Sequence, residues 1–260
     1  MNKITNSHQN SLLVYIVAYN AAQHIELVLD VIPSDELKNY EILISDDCSS
    51  DCTSDIVKNY QQRNPDKNIK LVTQKKNLGY GGNQKFGYDY AIKNNFYAVV
   101  LIHGDGQYSP KLIPQMMGKI IDGSGDVVLG SRMLNKKSAL DGGMPFYKFI
   151  GNIILTKVQN LLLGVTLSEF HTGLRAYKTD ALARVPFHHN SNGFSFDTDI
   201  LIQMINNKMC IGEISIPTHY GSEICRVNGV KYACEIMLAT VVSRLQWIRI
   251  FYRKKFDYRV

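Results

Sequence analysis

No run of about eighteen apolar residues occurs in the chain, so no segment reads as a membrane-spanning helix. Met1 to Asn10 is polar, and the apolar run behind it, Leu12 to Ala18, is too short and begins too late for a secretory leader. Cysteine is sparse and badly spaced. Cys48, Cys52, Cys210, Cys225 and Cys234 make an odd number with no C-x-x-C pair. That argues against a disulfide framework or a paired-thiolate zinc site and fits reduced thiols in the cytoplasm. No internal repeat or low-complexity tract stands out. Acid is lacking in one place only. From Arg244 to Val260 the cations Arg244, Arg249, Arg253, Lys254, Lys255 and Arg259 face the single acid Asp257. They carry nearly all of the net charge of +6, so the bulk of the chain is close to neutral and does not read as a nucleic-acid binder.

What is there is an ordinary globular composition, 45% hydrophobic and 20% charged over 260 residues, enough for a sizeable core. Leu12 to Ala18 reads as a buried strand ending in Tyr19-Asn20. Ile25, Val28, Leu29 and Ile32 predict a helix over Ala22 to Ile32, closed by Pro33. Glu41 to Ser45 is a second strand, running into Asp46-Asp47-Cys48-Ser49-Ser50-Asp51, with a short helix over Thr53 to Tyr60. Ile69 to Thr73 is a third strand. Asn77-Leu78-Gly79-Tyr80-Gly81-Gly82 and a helix to about Asn94 follow it. Val99 to Ile102 reads as a strand buried on both faces that stops on His103-Gly104-Asp105-Gly106-Gln107. Ser109-Pro110 supplies an N-cap and an N1 proline for a helix lined by Leu112, Ile113, Met116, Met117 and Ile120. This alternation predicts an α/β fold with a mostly parallel, doubly wound sheet. The second half is less regular. It offers a strand over Asp126 to Gly130 ending in Ser131-Arg132, a mobile loop over Asn135 to Pro145 and a helix over Phe146 to Leu163. Strands over His171 to Tyr177 and Ile211 to Ile216 flank a helix over Phe196 to Asn206. A long helix over Val230 to Phe251 comes last.

Three strand ends share one character: Tyr19-Asn20, Asp46-Asp47 and His103-Gly104-Asp105. In a parallel sheet they fall on one rim, where ligands bind. A carboxylate after the second strand can accept hydrogen bonds from a base or ribose. The first turn, Tyr19-Asn20-Ala21-Ala22, has no Gly-x-Gly, so a pyrophosphate does not sit there as in a Rossmann dehydrogenase. A divalent cation on Asp105 is the economical way to meet it. His103, two residues earlier, can turn toward the same ion, and Gly104 and Gly106 clear space around it. The pattern equally suits a βα turn with a capping Asp and a hydrogen-bonded turn histidine.

Ala18-Tyr19-Asn20, Asp46-Asp47-Cys48-Ser49-Ser50-Asp51-Cys52-Thr53, Asn77 to Gly82 and His103 to Gln107, in this order, resemble the successive signatures of family 2 glycosyltransferases of GT-A fold. Gly130-Ser131-Arg132, Ser168-Glu169-Phe170-His171-Thr172-Gly173-Leu174-Arg175-Ala176-Tyr177 and Ile216-Pro217-Thr218-His219-Tyr220 are similar to the dolichyl-phosphate mannose synthase-like branch. The resemblance implies one GT-A domain, with a Rossmann-like sheet flanked by helices and a helical C-terminal extension. A nucleotide-sugar-binding half would span about residues 12–130, an acceptor-side half about 131–230, and a basic, aromatic helix and tail about 231–260. Ala18, Tyr19, Asn20, Asp46, Asp47, Asn77, Gly81, His103, Gly104 and Asp105 would line the nucleotide sugar. Asp105, with His103 and Gln107, would hold Mn²⁺ or Mg²⁺. Arg132 and Arg175 would face the donor diphosphate or an acceptor phosphate. His103 stands where the family motif has its first acid, and an imidazole suits Mn²⁺ better than Mg²⁺. Glu169 stands where the branch more often has Asp.

The implied reaction is inverting transfer from a GDP- or UDP-sugar to a polyprenyl phosphate. The alternatives are a sugar-hydroxyl acceptor in cell-surface polysaccharide synthesis, and a non-catalytic nucleotide-sugar-binding module. A phosphate acceptor arrives ionised and needs cations, for which Arg175 and Lys148 are candidates. A hydroxyl needs a carboxylate base, for which Asp199 or Asp197 is the best available. Plainer roles stand beside these: Asp46 and Asp47 as helix caps, Arg132 in a surface ion pair, Asp197 and Asp199 as first-turn acids on a helix dipole. The tail sets Trp247, Phe251, Tyr252, Phe256 and Tyr258 among its cations. That suits an anionic membrane surface, or a solvated helix whose aromatics pack on the domain. The expected location is cytoplasmic, peripheral at the inner face of the membrane.

Overall fold

The structure is a computed structural model describing residues 11–37, 39–218 and 228–257. His219, Tyr220, Cys225, Tyr258 and Arg259, named above, lie outside the described residues. In chain order the elements are β1 (Leu12–Ala18), α1 (Ile25–Asp30), β2 (Tyr40–Asp46), α2 (Thr53–Arg63), β3 (Ile69–Thr73), α3 (Tyr80–Lys93), β4 (Ala98–His103), α4 (Ile113–Ile121) and β5 (Val127–Ser131). Then come α5 (Lys136–Asp141), α6 (Phe146–Leu163), β6 (Arg175–Lys178), α7 (Thr179–Ala183), α8 (Phe196–Asn206), β7 (Ile211–Ser215) and α9 (Gly229–Trp247).

The strands form one sheet in the order β3-β2-β1-β4-β6-β5-β7. Every strand but β6 points the same way, and β6 runs antiparallel to both its neighbours. Alternate residues of a strand face opposite sides, and here both sides are covered. Leu12, Val14 and Ile16 pack with Ile25 and Leu29 of α1, Val57 of α2 and Met116 of α4. Leu13 and Tyr15 pack with Tyr88 and Ala91 of α3 and Ile200 of α8. Double coverage is why β1 and β4 read as unbroken apolar runs. Helix α3 crosses β1 at Gly87, where a Cβ would stand 2.1 Å from the Tyr15 ring, so only glycine allows that approach.

The sequence reading departs from the structure at several places. Asn135 to Pro145, expected as a mobile loop, contains α5: the Asn135 side chain caps it by accepting from the Ser138 N–H, and Gly142-Gly143 ends it. Pro110 opens a short 3₁₀ turn before α4, and Ser109 makes no side-chain cap. The strand expected over His171 to Tyr177 begins only at Arg175. The reason is Arg175 itself, whose guanidinium takes the carbonyls of Phe170 and Thr172 and wraps that segment around it. The last helix stops at Trp247, because Arg249 turns the chain with a positive φ of 63°. The tail then folds back: Phe256 is fully buried, and the Gln246 amide donates to its carbonyl at 2.6 Å. Among the described residues no helix is long and apolar enough to cross a membrane.

Candidate active site

The strand register builds a common rim. Ala18 pairs with Asp46, and Val17 with His103, so the ends of β1, β2 and β4 lie side by side. The β1–α1 and β2–α2 loops are fastened to each other there. Asn20, in a left-handed conformation with φ 51°, donates its N–H to Ser49 Oγ at 2.8 Å and accepts the Ser50 N–H on its side chain at 2.9 Å. The N–H groups of Ala21 and Ala22 go to Thr53 Oγ1 and Asp51 Oδ2. Helix α1 starts at Ile25, later than the Ala22 expected from the sequence.

Asp46 and Asp47 are both buried. Asp46 accepts from Ser49 Oγ at 2.5 Å and from Ser54 Oγ, bracing the loop into α2. Asp47 accepts the N–H groups of Leu78 and Gly79 at 2.7 and 3.0 Å, which ties β2 to the start of α3. Burial pushes the Asp47 carboxyl up, and those two N–H bonds offset only part of the rise. Neither acid caps α2, the plainer role set beside nucleotide binding above; Asp51 accepts from the Thr53 N–H and hydroxyl at the start of that helix. Asn77 donates to the Asp47 carbonyl and accepts from Gly79. Gly81, expected at the nucleotide, instead donates its N–H to the Asn192 carbonyl at 2.8 Å. A Cβ there would stand 2.5 Å from the Ser191 carbonyl oxygen and 2.6 Å from Phe196 Cβ, so its glycine serves close packing. Tyr19, by contrast, is 44% exposed at the rim.

At the end of β4, Gly104 packs beneath Ala18 and Ile25 and donates to the Val17 carbonyl. Asp105 is exposed, and its Oδ1 accepts the Gln107 N–H at 3.0 Å, a turn that fixes the carboxylate. His103 is walled in on three sides. Its Nε2 lies 3.1 Å from the Tyr80 hydroxyl, the Tyr108 ring meets it edge-on at 5.3 Å, and Gly173 packs against its Cε1–Nε2 edge. Among the described residues no three His, Cys, Asp or Glu side chains gather into a self-sufficient metal site. Asp105 could supply one ligand to a cation that drew most of its others from a bound substrate.

The residues expected on an acceptor side are placed differently from expectation. Arg175 has no exposed surface, and its guanidinium donates to the carbonyls of Thr172, Asp197 and Phe170 at 2.7–2.9 Å. It shapes the 168–174 segment and does not face a phosphate here. Arg132 is held by buried Glu169, which also accepts the Arg132 N–H at 2.8 Å and the Asn152 amide at 2.9 Å. This is an interior ion pair, not the surface pair considered above. Burial alone would raise the Glu169 carboxyl, but the Arg132 guanidinium and these donors outweigh it and hold it below its ordinary value. Asp199, the candidate base, is buried and bonded to Lys255 Nζ at 2.6 Å. Asp197 is the acid that reaches the rim cluster: Oδ2 accepts from Tyr80 at 2.8 Å and Oδ1 from Gln84 at 2.9 Å. Tyr80, Tyr108 and Gly173 were missed in the sequence. Tyr80 and Gly173 lie inside motifs already singled out, and only their contacts across the sheet reveal them.

A doubly wound, mostly parallel sheet with an exposed carboxylate, Asp105, past its central strand is the fold of the GT-A glycosyltransferases. Residues 13–185 match the family described as Glycosyl transferase family 2, and the chain belongs to that family and is a glycosyltransferase. It is 31% identical over 220 residues, 80% of this chain and 86% of the other, to a UDP-N-acetylglucosamine–dolichyl-phosphate N-acetylglucosaminyltransferase of Methanococcus voltae. It is 23% identical over 205 residues, 78% of this chain and 76% of the other, to a polyprenol monophosphomannose synthase of Mycolicibacterium smegmatis. Its fold is similar to glucosyl-3-phosphoglycerate synthase of Mycobacterium tuberculosis, solved with Mn²⁺, UDP and glucosyl-3-phosphoglycerate. The TM-score is 0.64 at 15% identity, over 94% of this chain and 82% of that one.

Proposed function

We propose that this glycosyltransferase moves a sugar, with inversion, from a UDP- or GDP-sugar to a polyprenyl phosphate, assisted by Mn²⁺ or Mg²⁺. The observation that carries the donor side is Asp105, an exposed carboxylate beside the fastened β1 and β2 loops. Tyr19 and Asn20 lie at the adjoining strand end for the nucleoside. A cation on Asp105 and His103 would neutralise the charge that builds on the departing diphosphate. The acceptor side is supported by the fate of Asp199. A carboxylate neutralised by Lys255 and shut from solvent is poorly placed to take a proton from a hydroxyl, whereas a phosphate needs no base. The two relatives named above are called a dolichyl-phosphate N-acetylglucosaminyltransferase and a polyprenol monophosphomannose synthase, which points the same way. An anionic membrane surface is the natural place for such an acceptor. Trp247, Ile248, Ile250, Phe251 and Tyr252 lie exposed between Arg244 and Arg253.

The test is a transfer assay with purified protein, a panel of UDP- and GDP-sugars, a polyprenyl phosphate and Mn²⁺. A lipid-linked sugar should form, and Asp105→Asn should reduce its rate at least 100-fold, the scale of losing one charge-stabilising group. Binding of UDP or GDP without any transfer would instead support the binding module.

A further inference from the structure

The Tyr80 hydroxyl has one proton and two polar neighbours. Asp197 Oδ2 lies 2.8 Å from it and His103 Nε2 3.1 Å. The phenolic proton goes to Asp197 Oδ2, which accepts it. The Tyr80 oxygen is then left to accept from His103, which places the imidazole proton on Nε2. We propose that Asp197 and Tyr80 are positioning residues that hold His103 in the Nε2–H tautomer, so that Nδ1 keeps its lone pair for the cation shared with Asp105. This inference rests on the metal-assisted reading above and deepens it.

The arrangement is built to hold that state. Gln84 donates to the second Asp197 oxygen at 2.9 Å, and Tyr88 donates to the Gln84 side-chain carbonyl at 2.7 Å. Both are buried, so the chain of bonds is shielded from exchange with water. A Cβ on Gly173 would stand 2.5 Å from His103 Cε1 and 3.0 Å from Nε2, so the ring is pressed against that segment. An aspartate in place of His103 would need no such support, since either oxygen can ligate. An imidazole has one lone pair, and its tautomer is set by the bond that the other nitrogen makes. A neutral nitrogen in place of a charged oxygen also shifts preference from Mg²⁺ toward Mn²⁺.

The tautomer is read without any metal, by ¹⁵N NMR of His103 in the wild-type protein. The proton is expected on Nε2, and a proton on Nδ1 overturns the inference. Mn²⁺ binding in the presence of UDP or GDP, followed by electron paramagnetic resonance, reads the consequence. Tyr80→Phe should weaken Mn²⁺ binding roughly 10–100-fold, as loss of a ligand's supporting partner does, and His103→Asp should move the preference toward Mg²⁺. Unchanged Mn²⁺ affinity in both Tyr80→Phe and His103→Ala overturns this inference and leaves the transferase reading standing. If wild type binds neither nucleotide with Mn²⁺, the metal-assisted reading falls and this inference with it.

Discussion

Glu169 and Arg132 show what a single buried charge does in this protein. Replacing Glu169 by Gln keeps one acceptor but leaves the largely buried guanidinium without its counter-charge. The expected loss is roughly 3 kcal/mol, the low end for breaking a buried pair, read from urea unfolding at pH 7.5. His171 adds a pH dependence. It is partly buried, its Nδ1 meets the Tyr232 hydroxyl at 3.2 Å, its Nε2 is enclosed, and burial lowers its pKa to about 4. The unfolded chain therefore binds a proton near pH 6.5 that the folded chain refuses until about pH 4. Stability tied to His171 is complete above pH 6.5 and drains away as the pH falls toward 4, by about 3 kcal/mol in all. His171→Gln should flatten that part of the stability profile between pH 7 and 4.5, and an unaltered slope would refute the assignment. At this scale the sequence was legible where a residue's chemistry is local and opaque where it depends on a partner. Asp105 could be placed from the strand that precedes it. Arg175 could not, because its three acceptors are backbone carbonyls, and backbone carbonyls leave no mark in sequence.

Among elements, the C-terminal strand-free segment carries more than its composition suggests. Interleaved cations and aromatics read as one kind of surface, yet the segment divides after Tyr252. Phe256 plugs the space beside α8, Lys255 neutralises Asp199, and the Gln203 amide donates to the Lys255 carbonyl at 2.6 Å. Phe256→Ala should cost about 3 kcal/mol or more, as for other large-to-small changes in a core, with thermal unfolding as the measure. Spacing fixed α6 to the residue, because it buries one face over several turns, and the bounds of α8 also matched although that helix is buried on all sides from Phe196 to Met204. Spacing failed for α7, whose five residues are too few to show a period, and for β6, whose reversed direction no pattern of side chains announces.

For the whole molecule, the exposed apolar residues cluster on neighbouring parts of the surface. Phe146, Tyr147, Ile150, Ile154 and Leu161 lie on α6, Leu238 and Val241 on α9, and Trp247 to Tyr252 just beyond. Helices α6 and α9 pack together, since Gln159 donates to Thr240 between them at 3.2 Å. Co-sedimentation with vesicles containing anionic lipid should therefore be strong at low salt. The pair Trp247→Ala and Phe251→Ala should weaken it several-fold without unfolding the protein, because both side chains are exposed. Equal sedimentation of the variant and wild type would argue that this surface meets something else. Cutting away the tail would be a poor version of the experiment, because Phe256 would leave the core with it.

The reversed strand β6 has a consequence for how the chain is assembled. Among the described residues it alone joins the β3-β2-β1-β4 half of the sheet to β5 and β7, since β5 pairs there with β6 and β7. During synthesis β5 therefore emerges well before either strand it can pair with, and must wait through α5 and α6 for its place. Until Arg175–Lys178 arrives, β4 shows an unprotected edge and the Gly173 wall of the His103 site does not exist. Nascent chains stopped short of that strand should fold their first half and still be unable to grip a sugar nucleotide.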